Sequence, residues 1–388
     1  MTPDLLDRVR ERLAVGGLEV TPARAAEAVR MEAGGVIGDA EVLAALRLLN
    51  QEFAGAGPLE PLLRMPGVTD VLVTAPNRVW LDGPDGLRRT AVTFPDEDAV
   101  RRLAQRLALA AGRRLDDASP YVDAWLPASA VTARVRLHAV LPPIAADGTC
   151  LSLRVLRPAA HDLASLADLG ALDDTALALV EAVVEARLAF LVSGGTGTGK
   201  TTLLAAMLGR VAPNERIVCV EDAGELRPNH PQFVRLISRP PNIEGAGQVT
   251  LRDLVRQGLR MRPDRLVVGE VRGAEVGELL AALNTGHDGG ACTVHANSPV
   301  EVPARLEALG ALGGLAREAL HSQLAAAVQV VLHMRRGPDG VRRLDQIGVL
   351  HRAGGLVEVS PAWSAGAVRT PGAPLLRALL AGRGVRQC

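Results

Sequence analysis

Gly194, Gly199, Lys200 and Thr201 stand in the segment 187-RLAFLVSGGTGTGKTTLL-204, with four residues between the two glycines. Glycines so placed let successive backbone N–H groups turn inward and form a concave anion site. A lysine directly after such a loop puts a point charge on the β- and γ-phosphates of a nucleotide. The threonine hydroxyl that follows is a hard oxygen ligand suited to Mg²⁺. This is the phosphate-cradling P-loop pattern, and it assigns Gly194, Gly195, Thr196, Gly197, Thr198, Gly199, Lys200, Thr201 and Thr202 to phosphate binding, with Thr201 also a metal ligand. The bland alternative is a Gly/Thr-rich surface loop. The flanks argue against it. Leu188–Val192 is short and apolar, as a buried parallel strand should be, and Leu203, Leu204, Met207 and Leu208 follow at helical spacing before Pro213. A helix from about 200 to 211 then points its positive N-terminal end at the phosphates.

Hydrolysis also needs a carboxylate to position water and an oxygen ligand for the metal. Ile217–Val220 is apolar and ends in Glu221-Asp222; Leu266–Val268 is apolar and ends in Gly269-Glu270. Acidic residues at the carboxyl ends of parallel strands face the ligand crevice. Both strand ends therefore supply candidates for these two roles. Gly269 stands where this type of motif usually has Asp, so the metal-side role falls to Glu270. In 284-NTGHDGGACTVHANS-298, His295 at a strand end is a candidate for sensing the γ-phosphate, whereas His287 in a turn is as readily structural. Arg134, Arg136, Arg154 and Arg157 crowd two strands further upstream. They are either solvated strand faces or cations turned toward a triphosphate.

The elements that must carry these residues are legible in outline. Residues 1–54 read as a short helical arm with helices at about 3–14, 22–32 and 40–53, Thr21 and Asp39 as N-caps and a break at Gly34-Gly35. Residues 55–157 read as an α+β domain with strands at Val68–Thr74, Arg78–Leu81, Val131–Leu141 and Cys150–Leu156 and an amphipathic helix from Ala99 to Ala111. Residues 158–172 read as a linker. Residues 173–360 read as one further domain: strand and helix patterns alternate to about residue 310, with helices at 174–187, 200–211, 250–261, 274–285 and 299–309 and strands at 188–193, 216–221, 232–236, 265–270 and 290–294, and one more helix follows at 315–328. Ser298-Pro299-Val300-Glu301 reads as a capping box. Val328–Met334 and Val341–Leu350 flank a hairpin signal. The fold class is thus α/β with a mostly parallel sheet. Residues 361–388 are Pro/Gly/Ala-rich and read as a tail, either disordered or docked on a partner.

Composition narrows the function. Lys+Arg and Asp+Glu are both 43, so bulk charge gives no reason for a polyanion partner. Aromatics make up 2% of the chain, which speaks against a base-stacking single-strand surface. No guanine-reading Asn/Thr-Lys-x-Asp follows the P-loop. The four cysteines are scattered without metal-ligand spacing, so they are expected to be reduced, in the cytosol. The charged amphipathic N-terminus is no secretory signal, and no stretch approaches a membrane span, so membrane association is expected to be peripheral.

Taken together, four boxes resemble the type II/IV secretion and pilus-assembly ATPase superfamily, and within it most resemble the Tad/CpaF-type Flp pilus branch: 194-GGTGTGKT-201, 217-IVCVEDAGEL-226, 258-GLRMRPDRLVVGEVRG-273 and the histidine box 284–298. The stretches 57-GPLEPLL-63, 112-GRRLDDASPYVDAWLP-127, 134-RVRLHAVLPP-143 and 239-RPPNIEGAGQVTLRDLVRQ-257 are similar as well. The resemblance implies a RecA-like core behind a PAS-like N-terminal domain, ATP and Mg²⁺ as cofactors and a homo-hexamer. It also implies a cytoplasmic motor held at the inner membrane face by a platform protein of a pilus or secretion system. Conjugation or nucleic-acid translocation is the alternative within the same superfamily. By resemblance Lys200, Glu221, Glu270 and His295 are catalytic, Arg136 and Arg154 reach the nucleotide phosphates, and Arg260 and Arg262 are fingers or interface residues. Trp125 stands where the family has arginine, the turn Ala128–Ala133 is longer than usual, and the cysteines of the zinc module found in some relatives are absent, so no zinc is expected.

Overall fold

The computed structural model describes residues 8–9, 12, 22–33, 38, 55–127, 134–156, 161–242 and 245–385. The helices expected at 3–14 and 40–53, the caps Thr21 and Asp39 and the turn Ala128–Ala133 lie wholly or mostly outside them. The chain divides into two compact units, Met1–Arg157 and Pro158–Cys388.

The first unit contains helices α1 (Pro22–Glu32), α2 (Glu60–Arg64) and α3 (Glu97–Ala110). Its strands are β1 (Asp70–Ala75), β2 (Arg78–Asp82), β3 (Arg88–Arg89), β4 (Tyr121–Trp125), β5 (Arg134–Val140) and β6 (Cys150–Leu156). They form one antiparallel sheet in the order β3-β2-β1-β6-β5-β4. Alternation decides the faces. Val71 and Val73, Val135 and Leu137, and Leu151 and Leu153 are buried with Val100, Leu103 and Leu107 of α3, which Asp96 caps by accepting from the Ala99 N–H at 2.7 Å. The charged residues Asp70, Arg136 and Arg154 fall on the other face. The edge strand β4 is absent from the sequence reading. It is five residues long, carries Tyr121 and Asp123 outward, and lies between Pro120 and Pro127.

The second unit opens with α4 (Leu163–Asp168) and α5 (Asp174–Glu185). There follow β7 (Phe190–Gly194), α6 (Lys200–Leu208), β8 (Ile217–Glu221), β9 (Phe233–Ile237), α7 (Leu251–Gly258), β10 (Arg265–Val268), α8 (Val276–Leu283) and β11 (Ala291–Val294). The unit continues with α9 (Val302–Leu312), α10 (Arg317–Ala327), β12 (Val330–Arg336), β13 (Arg342–Ala353), β14 (Leu356–Ser364) and α11 (Ala373–Gly382). The sheet order is β14-β13-β12-β7-β11-β10-β8-β9, parallel from β12 through β9 and antiparallel at β13 and β14. One face is covered by α4, α5, α6 and α11 and the other by α7 to α10, so the central strands are buried on both sides, as their continuous apolar runs require.

Two local expectations change. The capping box at Ser298 does not form: Pro299–Glu301 is a 3₁₀ turn with no side-chain cap, and α9 begins at Val302. A capping box forms instead at α7, between Thr250 and Asp253. The region from 361 is not a separate tail as far as residue 385. β14 runs on to Ser364, and α11 buries Leu376 and Leu380 in the core of the second unit.

Candidate nucleotide site

Strands β7, β11, β10 and β8 lie side by side and parallel, so their carboxyl ends open together. At the end of β7 the chain turns through Gly194, Gly197 and Gly199 at φ of 145°, 71° and 96°. Glycine is required at 194: a Cβ there would press on the Met334 carbonyl oxygen and lie 2.7 Å from Thr198 Oγ1. The Thr198 hydroxyl donates to the Gly195 carbonyl at 3.0 Å. Helix α6 starts at Lys200 with no side-chain cap, so its first N–H groups face the concavity of the loop. Beneath the loop, the buried Ser193 hydroxyl lies 2.9 Å from His333 Nδ1 across the β7–β12 pairing.

Lys200 is the chain's single lysine among its 43 basic Lys and Arg residues. It is buried, and burial lowers its pKa. Its ammonium donates to the Gly195 carbonyl at 2.7 Å and lies 3.3 Å from His295 Nδ1 at the end of β11. His295 Nε2 lies 2.7 Å from Glu270 Oε1, and Arg272 donates to Glu270 Oε2 at 2.6 Å. Burial, with the Lys200 charge, lowers the His295 pKa and keeps the ring neutral. Its Nδ1 then accepts from Lys200 and its Nε2 carries the proton, a tautomer assigned from these partners. Burial pushes the Glu270 carboxyl up, but the Arg272 hydrogen bond and charge, with His295 and Lys200, outweigh it and hold the carboxyl below its ordinary range. Glu275 accepts from the Arg272 and Gly273 N–H groups at 2.6 and 2.9 Å and fixes the loop that carries Glu270.

Glu221 is buried at the end of β8. One oxygen accepts from the N–H groups of Glu225 and Leu226, both at 2.9 Å. The other is buried without a partner. Burial raises its pKa.

A family model for type II/IV secretion system proteins matches residues 52–351. The chain belongs to that family. The superfamily resemblance carried by the four boxes is borne out. A Mycobacterium tuberculosis protein provisionally named for conjugal transfer is 66% identical over 349 residues, covering 90% of this chain and 99% of that protein. The type IV secretion system protein PtlH of Bordetella pertussis is 31% identical over 74% of this chain and 91% of its own length. The fold is similar to that of the Legionella pneumophila ATPase DotB, with a TM-score of 0.52 and 20% identity over 76% of this chain and 80% of that one. The second unit thus has the RecA-like α/β fold that the sequence led one to expect. Among the described residues no helix is long and apolar enough to cross a membrane.

In this secretion-family chain Lys200, His295, Glu270 and Glu221 gather at one edge of the second unit. Arg136 and Arg154 belong to the first unit, at register-paired positions on β5 and β6. Each has a carboxylate partner: Arg136 binds Asp123 through two hydrogen bonds at 2.8 and 2.5 Å, and Arg154 binds Asp70 at 3.0 Å. Trp125 is paired in register with Arg136 and lies under the Arg134 guanidinium, 4.7 Å from ring centroid to Cζ. His287 Nδ1 lies 3.0 Å from the Ala282 carbonyl at the end of α8, a local structural bond. Arg260 sits in a 3₁₀ turn after α7 and Arg262 follows it in the left-handed region. Sequence reasoning missed Arg272 and Glu275, although they stand in and just after the stretch 258–273, and it missed His333, for which only strand pairing gives a signal.

Proposed function

We propose that this protein is a Mg²⁺-dependent ATP hydrolase that powers a Tad/Flp-type pilus or a protein-secretion machine from the inner face of the membrane. It acts as a homo-hexamer against a membrane platform partner. The observation that carries the hydrolase reading is the Lys200–His295–Glu270 chain across the mouth of a P-loop, with the unpartnered Glu221 oxygen buried beside it. Lys200 leaves its loop carbonyl for the β- and γ-phosphates, the inward N–H groups of the loop and of α6 hold the phosphate oxygens, and His295 reports on the terminal phosphate. Glu221, with its raised pKa and a free oxygen, orients the attacking water and accepts its proton.

The residues fit a divalent cation. Thr201 supplies a hydroxyl at the start of α6, and Glu270 stays ionised at neutral pH. Once bound there, Mg²⁺ would neutralise charge on the phosphate oxygens. Arg136 and Arg154 are proposed as phosphate contacts from the first unit, on condition that they leave Asp123 and Asp70.

The experiment is steady-state ATP hydrolysis with Mg²⁺, by the full chain and by Lys200→Ala, with and without single-stranded DNA. Turnover that needs Lys200 and ignores DNA is the expected result. Activity that persists in Lys200→Ala overturns the site. The conjugal-transfer name of the 66% identical relative favours a second reading, a DNA-transfer motor, and DNA-stimulated turnover would select it.

A further inference from the structure

We infer that the β12–β13 hairpin holds the base-bearing half of the nucleotide, with Arg342 stacking on the base and Met334 packed beneath it. The inference rests on the nucleotide site proposed above and extends it to the opposite side of the loop. β7 lies between β11 and β12 in the sheet. His295, Glu270 and Glu221 all stand at the ends of β11, β10 and β8, on one side of β7. A nucleotide lying across the P-loop with its terminal phosphate toward those groups must send its ribose and base the other way, over β12 and β13.

On that side the hairpin touches the loop. A Cβ placed on Gly199 would lie 3.5 Å from Arg342 Cδ and 3.5 Å from Met334 Cε, so the arginine stem and the methionine methyl both rest at the loop's end. The other arginines of the hairpin are engaged: Arg335 with Asp345 at 3.0 Å, Arg336 Nε with the Gly340 carbonyl at 3.2 Å, and Arg343 with Asp339 at 2.7 Å. Among the described residues the exposed Arg342 guanidinium has no hydrogen bond or ion pair. An unpaired cation beside Lys200 and the positive end of α6 adds like charge to a positive site, which is unfavourable on its own. A purine attached to a polyphosphate removes that penalty and gives the planar guanidinium a π face to cover, with a polarizable thioether below.

The test is calorimetric titration of ATP, ADP and inorganic tripolyphosphate into the full chain and into Arg342→Ala and Arg342→Lys. The expected result for Arg342→Ala is a loss of about 10-fold in affinity for ATP and for ADP, the size of one cation–π contact, with no loss for tripolyphosphate and Arg342→Lys in between. Unchanged ADP affinity, or an equal loss for tripolyphosphate, overturns the inference while leaving the hydrolase reading standing. Wild-type protein that binds none of the three, or binds them equally after Lys200→Ala, overturns the nucleotide site itself and the inference with it.

Discussion

Glu221 fills the space that a side chain at residue 269 would need: a Cβ on Gly269 would lie 2.6 Å from Glu221 Cγ. This explains why glycine stands where an aspartate was expected. The Gly269 N–H donates to the Val220 carbonyl at 2.8 Å and its carbonyl accepts from the Thr293 hydroxyl at 2.8 Å, so the backbone is pinned between β8 and β11 and cannot retreat. Gly269→Ala should therefore displace Glu221 and cost about 1–3 kcal/mol of stability, the usual range for overpacking. The expected phenotype is retained ATP binding with strongly reduced turnover and a lower denaturation midpoint. Wild-type turnover in this variant would mean that Glu221 does not need its present position.

The Glu270 carboxylate is shared between His295 and Arg272. Glu270→Gln keeps the shape and removes the charge. It should bind ATP and lose hydrolysis by about 10²–10⁴-fold, the scale of a positioned proton-transfer or charge-stabilising group. Equilibrium binding measured beside single-turnover hydrolysis separates the two effects. Loss of both would give Glu270 a structural role.

The raised Glu221 pKa has a sign that can be worked through. Burial penalises the ionised form in the folded protein, so at neutral pH this carboxylate lowers stability, and the penalty fades as pH falls through its folded pKa, above the ordinary 4.5. Each tenfold gain in proton affinity on folding corresponds to about 1.4 kcal/mol of that penalty. Glu221→Gln should therefore raise the thermal midpoint of the nucleotide-free protein at neutral pH, with the gain shrinking in acid. The same variant should lose turnover. In the wild type, turnover should fall with decreasing pH at a value above 4.5. An unchanged or lower midpoint in Glu221→Gln at neutral pH would mean that burial does not strain this carboxylate.

Lys200 is the only side-chain amine in the chain, and burial lowers its pKa below the ordinary 10.5. An amine-acylating reagent should therefore modify one side chain, at a pH lower than an exposed lysine requires, and ATP should protect it. Peptide mass mapping gives the readout. Acylation that ATP does not slow would remove Lys200 from the phosphate site.

Much of this was legible because it is local. A Gly-rich loop between an apolar run and a helical run needs only about 20 consecutive residues to declare itself, and Glu221, Glu270 and His295 each end a short apolar strand. What the sequence hid is what depends on pairing. β4 and β14 are short or interrupted: the first carries Asp123 in Tyr-Val-Asp-Ala-Trp, and the second contains Pro361. Both show their strand character only beside a neighbour. The contacts of Glu221 with Gly269 and of Arg342 with Gly199 join residues 48 and 143 positions apart, and no periodicity announces them.

The C-terminal region was hidden in the same way. In the sequence, Leu375, Leu376, Leu379 and Leu380 form a short apolar patch without a home. The chain supplies one through a tight return. The Thr370 hydroxyl donates to the Ala362 carbonyl at 2.6 Å, and the Gly372 N–H donates to the Pro361 carbonyl at 2.7 Å. A side chain at 372 would lie 2.6 Å from the Ser360 carbonyl oxygen, so glycine lets the backbone fold tightly against β14. Helix α11 then lays Leu376 and Leu380, 2% and 1% exposed, into the core that also holds Val180 and Leu204, and Arg383 pairs with Asp288 at 2.8 Å. Leu380→Ala should cost about 2–5 kcal/mol, the range for a buried leucine truncated to alanine. Arg383→Ala, at a half-exposed ion pair, should cost less than about 1 kcal/mol. Chemical denaturation of the two variants beside the wild type checks the ordering. Equal, small effects would mean that α11 does not pack on the core in solution and that residues 373–385 are free to serve a partner instead.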